Sequence, residues 1–268
     1  MEFAASNIAW ETADMDEHLE ILAKECSHLE LSPSMVWAEP ALASEDNIMK
    51  LKQQLKYYGV NVISAHSLTY TRPDLVFFDT VQKRNELVEY VSKLGEIAQK
   101  FNCPHLVFGS SRARSIANRC RSECMEILIE TFRQMATETA KYGVAVLIEP
   151  LSPQETDCIN TVKEGADLVT EVNHPAFGLH VDLKSTFSQM EDQEQLWGEY
   201  GGLIQHCHVA DPGLLPPSTN CPYHRLAAKA MRKAGYDRYI SIEMGRKFGN
   251  TKENLQNALR FVKETYSN

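Results

Sequence analysis

Four residues able to bind a metal close four short apolar runs of the chain. Glu149 follows Val144-Ala145-Val146-Leu147-Ile148, and Asp182 follows Phe177-Gly178-Leu179-His180-Val181. His208 ends Leu203-Ile204-Gln205-His206-Cys207, and Glu243 ends Tyr239-Ile240-Ser241-Ile242. The four lie 33, 26 and 35 residues apart, each gap the length of one strand-plus-helix unit. On consecutive parallel strands, three carboxylates and one imidazole would converge at one rim. Hard oxygen donors with a single nitrogen suit one divalent ion: Mn²⁺ first, with Mg²⁺ or Co²⁺ as alternatives. Taken singly, a Glu after a strand is usually solvated, and a His there is usually a hydrogen-bonded core group. Their shared position is what singles these four out.

The elements that must position them alternate along the whole chain. Strand-like runs fall near 3–8, 28–31, 60–65, 104–108, 144–148, 177–182, 203–208 and 239–243. Between them lie amphipathic segments at Met15–Cys26, Asp46–Tyr58, Asp79–Phe101, Ser122–Tyr142, Thr161–Val172, Glu191–Tyr200, His224–Ala234 and Thr251–Thr265. Gly59, Gly143 and Gly235 stand where a left-handed residue ends a helix. Asp46 and Thr161 are expected N-caps, Thr161 with Glu164 as a capping box. Eight alternations in a chain of 268 residues are the arithmetic of an α/β fold of the (β/α)8 TIM-barrel kind, one domain over residues 1–268. A doubly wound open sheet is the runner-up. It lacks its glycine-rich phosphate turn, because Asn7-Ile8-Ala9-Trp10 follows the first strand.

Composition bounds the function. Hydrophobic residues make up 43% of the chain and charged residues 24%, as in a soluble globular protein. A net charge of −9 argues against a nucleic-acid or anionic-membrane partner, both of which need a basic patch. No apolar stretch reaches membrane-span length, and the opening Met-Glu-Phe-Ala-Ala-Ser-Asn has no basic or apolar leader segment. The seven cysteines are scattered without a C-x-x-C pair, which points to a cytoplasmic protein with free thiols. A homo-oligomer is left open.

At the motifs Ile148-Glu149-Pro150, His180-Val181-Asp182, His206-Cys207-His208-Val209-Ala210-Asp211 and Ile242-Glu243-Met244, the chain resembles the xylose isomerase-like TIM barrels. Within that superfamily it is most similar to the sugar (phosphate) isomerases and ketose 3-epimerases. The resemblance implies one divalent ion held by Glu149, Asp182, His208 and Glu243, with Glu149 and Glu243 as the proton-transfer pair. That pairing is chemically sensible. Epimerisation beside a carbonyl needs a base on one face of the carbon and an acid on the other, with a cation to stabilise the enediolate. The resemblance also implies a small sugar-like substrate, with Glu155 and Asn160 among its contacts. Two alternative readings stay open: a dehydratase of an inosose or dehydroshikimate-like ketone, a class of the same superfamily that shares all these motifs, and a non-catalytic barrel that keeps the metal for stability and binds a carbohydrate.

The chain departs from the epimerase pattern at Ser185, where those enzymes carry a substrate-binding His, and at Leu214, where they carry an Arg. An altered pocket around a retained metal site is therefore expected. His66, Ser185 and His206 are further expected substrate contacts, His206 and His180 standing one layer deeper than His208 and Asp182. His224 is a candidate for the extra histidines of the barrel endonucleases, a reading opposed by Phe108-Gly109, Ser185 and the acidic net charge. Arg112 and Arg114, beside Ser110 and Ser111, could hold a phosphate or carboxylate. Arg72, Lys184, Arg246 and Lys247 are other cations of the same loops. Trp10, Trp37 and Tyr70 could wall a sugar ring.

Overall fold

The computed structural model describes residues 1–267. In chain order the elements are β1 (Glu2–Ser6), α1 (Met15–Glu25), β2 (His28–Leu31), α2 (Glu45–Tyr58), β3 (Asn61–Ala65), α3 (Val81–Lys100), β4 (His105–Phe108) and α4 (Arg121–Ala140). They continue as β5 (Ala145–Ile148), α5 (Val162–Val172), β6 (Phe177–Asp182), α6 (Leu183–Ser188), α7 (Gln193–Tyr200), β7 (Ile204–Val209), α8 (Tyr223–Lys233), β8 (Tyr239–Ile242) and α9 (Thr251–Tyr266). The eight strands are parallel and close in sequence order, with β8 pairing back onto β1. The expected (β/α)8 barrel is the fold.

The local signals act as expected, with two exceptions. Gly59, Gly143 and Gly235 adopt φ of +69°, +70° and +69°, and Thr161 with Glu164 forms the capping box. The cap of α2 is Ser44, not Asp46. Its hydroxyl accepts the Asn47 N–H, and Asp46 falls inside the first turn, where its charge suits the helix dipole. The one-and-a-half-turn α6 was not anticipated, being too short to show a stripe. It starts because the Asp182 carboxylate accepts the Lys184 N–H at 2.8 Å.

Two layers of buried residues lie either side of the sheet. The outer layer, between sheet and helices, is apolar and includes Trp10, Phe77, Phe108 and Phe132. The inner layer is polar: Ser6, Glu30, Ser64, His66, His180, His206, His208 and Ser241 are all 2% exposed or less. Ser64 on β3 and Glu30 on β2 both bond His206 on β7, which only a path through the barrel interior allows. Barrel interiors are ordinarily filled by branched apolar side chains, so this interior is built for chemistry. Two register shifts set it up. One between Leu29 and Glu30 places Glu30 opposite Ser64, and one between Leu179 and His180 places Asp182 opposite His208.

Arg114 is not at the surface. It is fully buried and donates to three carbonyls, Cys158 O at 3.1 Å, Phe108 O at 3.3 Å and Glu149 O at 2.7 Å. It thereby ties the ends of β4 and β5 to the loop beyond. Replacing Arg114 with Met would leave those carbonyls without this donor. Urea denaturation should then show a loss of about 3 kcal/mol; a loss within experimental error would remove Arg114 from this role.

Candidate active site

A cavity of about 370 Å³ opens at the C-terminal ends of the strands, and His66, Glu149, Asp182 and Glu243 line it. His208 lies at its floor, wholly buried. Its Nδ1 stands 3.3 Å from Glu149 Oε1 and 3.4 Å from Glu243 Oε2. One donor atom from each of the three residues falls within 4.8 Å of the others. Asp182 is beside this trio but faces another cation. Its Oδ2 is 3.0 Å from Lys184 Nζ and accepts from Ser185 Oγ at 3.2 Å. Lys184 in turn reaches both Glu155 oxygens at 3.3 Å.

The donor set fits a divalent ion. Neither ring nitrogen of His208 has a directed hydrogen bond, and contacts of 3.3–3.4 Å are long for one. Two ligands of one ion at about 2.1 Å stand roughly 3.0–3.4 Å apart, which is the spacing seen. The room for Glu149 comes from Gly109 at the end of β4, where a Cβ would lie 1.7 Å from Glu149 Oε2.

The electrostatics are those of opposite charges buried together. Burial alone would raise the Glu243 carboxyl, but His208 and His66 hold it well below the usual carboxylate range. His66 contributes through its Nδ1, 3.2 Å from Glu243 Oε1, while its Nε2 is 2.6 Å from Ser6 Oγ. Burial opposes charge on His208, yet Glu30 and Glu243 outweigh it and raise that imidazole well above its ordinary value. His180 and His206 are driven down, first by burial and in both cases by neighbouring imidazoles. Asp182 is pushed up to about 6, chiefly by burial, with Lys184 opposing and Glu243 and Glu149 adding to the rise.

Not every expected contact reaches the cavity. Glu155, His66, Arg112 and Tyr70 line it. Asn160 instead donates to Leu151 O and Thr156 O, each at 2.8 Å, and so shapes the loop after β5. Ser185 is buried against Asp182, and His206 lies beneath His208, bonded to Ser64 and Glu30. Trp10 is core, stacked on His18 with centroids 4.7 Å apart, and Trp37 packs on Phe101. His224 is far from an endonuclease-like role. Its nitrogens lie 2.7 Å from Asp211 Oδ1 and 2.7 Å from Tyr266 OH, outside the cavity lining. Arg72 and Arg246 pair with Asp74 and Glu11, and Lys247 lies over the Phe248 ring. Leu214, in place of the epimerase arginine, lines the cavity in a left-handed conformation with φ 61°. A larger groove of about 1050 Å³ runs between α3 and α4 on the outer surface. It holds no buried ligand group and is on the wrong face for a barrel active site.

One residue at the site escaped the sequence reading. Glu30 is completely buried on β2, with Oε2 2.8 Å from His208 Nε2 and Oε1 3.1 Å from His206 Nε2. Ser64 Oγ donates to Oε1 at 2.7 Å. The signal was a lone carboxylate between Leu29 and Leu31 in the short strand β2.

With this geometry the comparisons with known proteins agree. The sequence profile of the xylose isomerase-like TIM barrel family matches residues 26–265, and the chain belongs to that family. Fructoselysine 3-epimerase of Escherichia coli O157:H7 is 18% identical over 203 residues, 74% of this chain and 73% of that protein. D-psicose 3-epimerase of Clostridium cellulolyticum H10, solved with D-tagatose, superposes with a TM-score of 0.84 at 18% identity, over 99% of both chains. The apo form of 3-keto-D-glucoside 4-epimerase from E. coli gives a TM-score of 0.83 at 15% identity, over 98% of this chain and 99% of that one. At such identities the structural likeness is one of fold.

The raised Asp182 carboxyl has a consequence for stability. A carboxyl whose folded value lies above its ordinary 3.8 stabilises the fold below about pH 4 and loses that contribution as pH climbs through about 6. Between about pH 4 and 7 the metal-free wild type should therefore lose stability relative to Asp182→Asn, on the order of 2 kcal/mol. Parallel urea titrations of both proteins would show it, and a pH-independent difference would contradict the assignment.

Proposed function

We propose that the protein is a divalent-metal-dependent isomerase or epimerase acting at the carbon beside the carbonyl of a sugar or sugar-like substrate. The observation that carries this reading is the convergence of Glu149 and Glu243 on His208 Nδ1 within a cavity that Asp182 also lines. The epimerase activities of the fructoselysine, psicose and keto-glucoside relatives support it. Glu149, Asp182, His208 and Glu243 would hold one ion, with Mn²⁺ the best match to three carboxylates and one imidazole and Mg²⁺ or Co²⁺ alternatives. When bound, the ion supplies Lewis-acid stabilisation of negative charge on neighbouring oxygens.

The chain's own groups divide the remaining work. Glu243 is held ionised by His208 and His66, so it stands in the base form. His66, fixed by Ser6, aims that carboxylate. Glu149, entering from β5, would return a proton on the other face, taking part in that step as the carboxylic acid, with solvent resetting both carboxyls after turnover. Glu155 and Lys184 offer an acceptor and a donor to substrate hydroxyls at the rim. Seven free cysteines are in keeping with a reducing, cytoplasmic setting. Among the described residues no helix is long and apolar enough to cross a membrane.

Two tests follow. Exchanging Glu149 or Glu243 for Gln keeps side-chain shape and removes the base. Formation of the deuterium-labelled epimer in D₂O, read by NMR, should fall at least a hundredfold in either variant while substrate binding changes little. A near-wild-type rate in one of them would rule out the two-carboxylate mechanism. The second concerns Arg112, which is exposed at the cavity rim and, among the described residues, has no carboxylate partner of the kind Arg72 and Lys184 have. If it receives an anionic substituent, Arg112→Ala should raise KM roughly ten- to a hundredfold for a phosphorylated or carboxylated sugar and little for the neutral analogue. Equal effects on both would make Arg112 a solvated surface residue.

A further inference from the structure

Beneath Glu149, His208 and Glu243 lies a fourth ionisable group, outside the four stretches that carry the family resemblance. Glu30 reaches into the barrel from β2 and divides its carboxylate between two tasks. Oε1 is anchored, accepting from Ser64 Oγ at 2.7 Å and lying 3.1 Å from His206 Nε2. Oε2 is presented to His208 Nε2 at 2.8 Å. The contact is off the line of a directed hydrogen bond, so both atoms are left without another partner in a fully buried place.

From this arrangement we infer that Glu30 is a positioning residue that sets which nitrogen of His208 faces the cavity. By holding the proton on Nε2 it leaves Nδ1, between Glu149 and Glu243, as the nitrogen that would give up its proton to a bound cation. The geometry leaves little freedom. His180 packs edge-on to the His208 ring with centroids 4.0 Å apart, and His66 lies against it at 5.4 Å. The register shift between Leu29 and Glu30 brings Glu30 opposite Ser64, and so puts its carboxylate under His208 rather than under a neighbouring strand. Without Glu30 the ring could carry its proton on Nδ1, between two carboxylates, where it would compete with a cation.

The inference rests on the metal reading above, and the experiment separates the two. Mn²⁺ binding to wild type, Glu30→Gln and Ser64→Ala is measured by calorimetry. In the Mg²⁺-loaded proteins the His208 ring protons are located with ¹⁵N-labelled histidine. Glu30→Gln keeps the shape and should weaken Mn²⁺ ten- to a hundredfold while displacing or losing the Nε2–H signal. Ser64→Ala, which removes one of the two contacts on the anchored oxygen together with the Ser64–His206 bond, should fold normally and weaken Mn²⁺ severalfold, keeping the experiment decisive if Glu30→Gln is unstable. Wild-type affinity in these variants with an unchanged Nε2–H signal would overturn the role of Glu30 and leave the metal site standing. Failure of the wild type to bind any divalent ion would instead overturn the metal reading, and this role with it.

Discussion

The structure is organised around the confinement of opposite charges in a closed, water-poor barrel. Glu30, Glu149 and Glu243 surround one imidazole, His208, at ion-pair distance. An isolated carboxylate at the depth of Glu30 would cost several kcal/mol, and three carboxylates around one imidazole leave an excess of negative charge. The same constraint decides protonation around it: His180 and His206, with charge already beside them, are pushed toward neutrality. Asp182, furthest from His208, recruits Lys184 as its counter-charge. A divalent cation bound among these carboxylates would meet the same demand for positive charge, and this links the stability of the site to its proposed chemistry.

The fold accommodates that charged centre by moving its apolar packing outward. Aromatic rings pack between sheet and helices, as in the contacts of Phe132 with Phe77, Phe108 and Phe177. The inner layer is then free to be polar. Backbone devices fit the site into the barrel. Gly109 vacates the volume that the Glu149 carboxylate fills, and Arg114 holds the Phe108 and Glu149 carbonyls that flank it. The loop after β5 is shaped by Asn160, and the one after β6 is wound into α6 by Asp182 itself. Residues that resemble substrate contacts in the linear sequence thus serve to shape the loops that carry the cavity.

The barrel was legible in the sequence because its signals are local. The strand runs are short and apolar, the helices keep a stripe, and Gly59, Gly143 and Gly235 mark their ends. The placement of Glu149, Asp182, His208 and Glu243 at the strand ends was legible for the same reason, since each occupies the same place in its own unit. What could not be read depended on register and depth. Nothing in His28-Leu29-Glu30-Leu31 says that Glu30 passes beneath a histidine 178 positions later, because that follows from a shift in β2–β3 pairing and from closure of the barrel. Arg114 looked like a loop cation because guanidinium groups are ordinarily solvated. Its burial depends on three carbonyls that only the folded strand ends bring together. Trp10, Trp37 and His206 carry chemistry that fits a sugar site, and only the fold shows which side of the sheet, or which depth, they occupy.

The central claim is that Glu149, Asp182, His208 and Glu243 together hold one divalent ion at the floor of the cavity. Anomalous diffraction at the manganese edge, from crystals grown with Mn²⁺, addresses it directly. The account predicts a single strong peak within coordination distance of all four side chains, with His208 bound through Nδ1. A peak elsewhere, or full-occupancy carboxylates bonded only to Lys184 and the histidines with no peak among them, would contradict it.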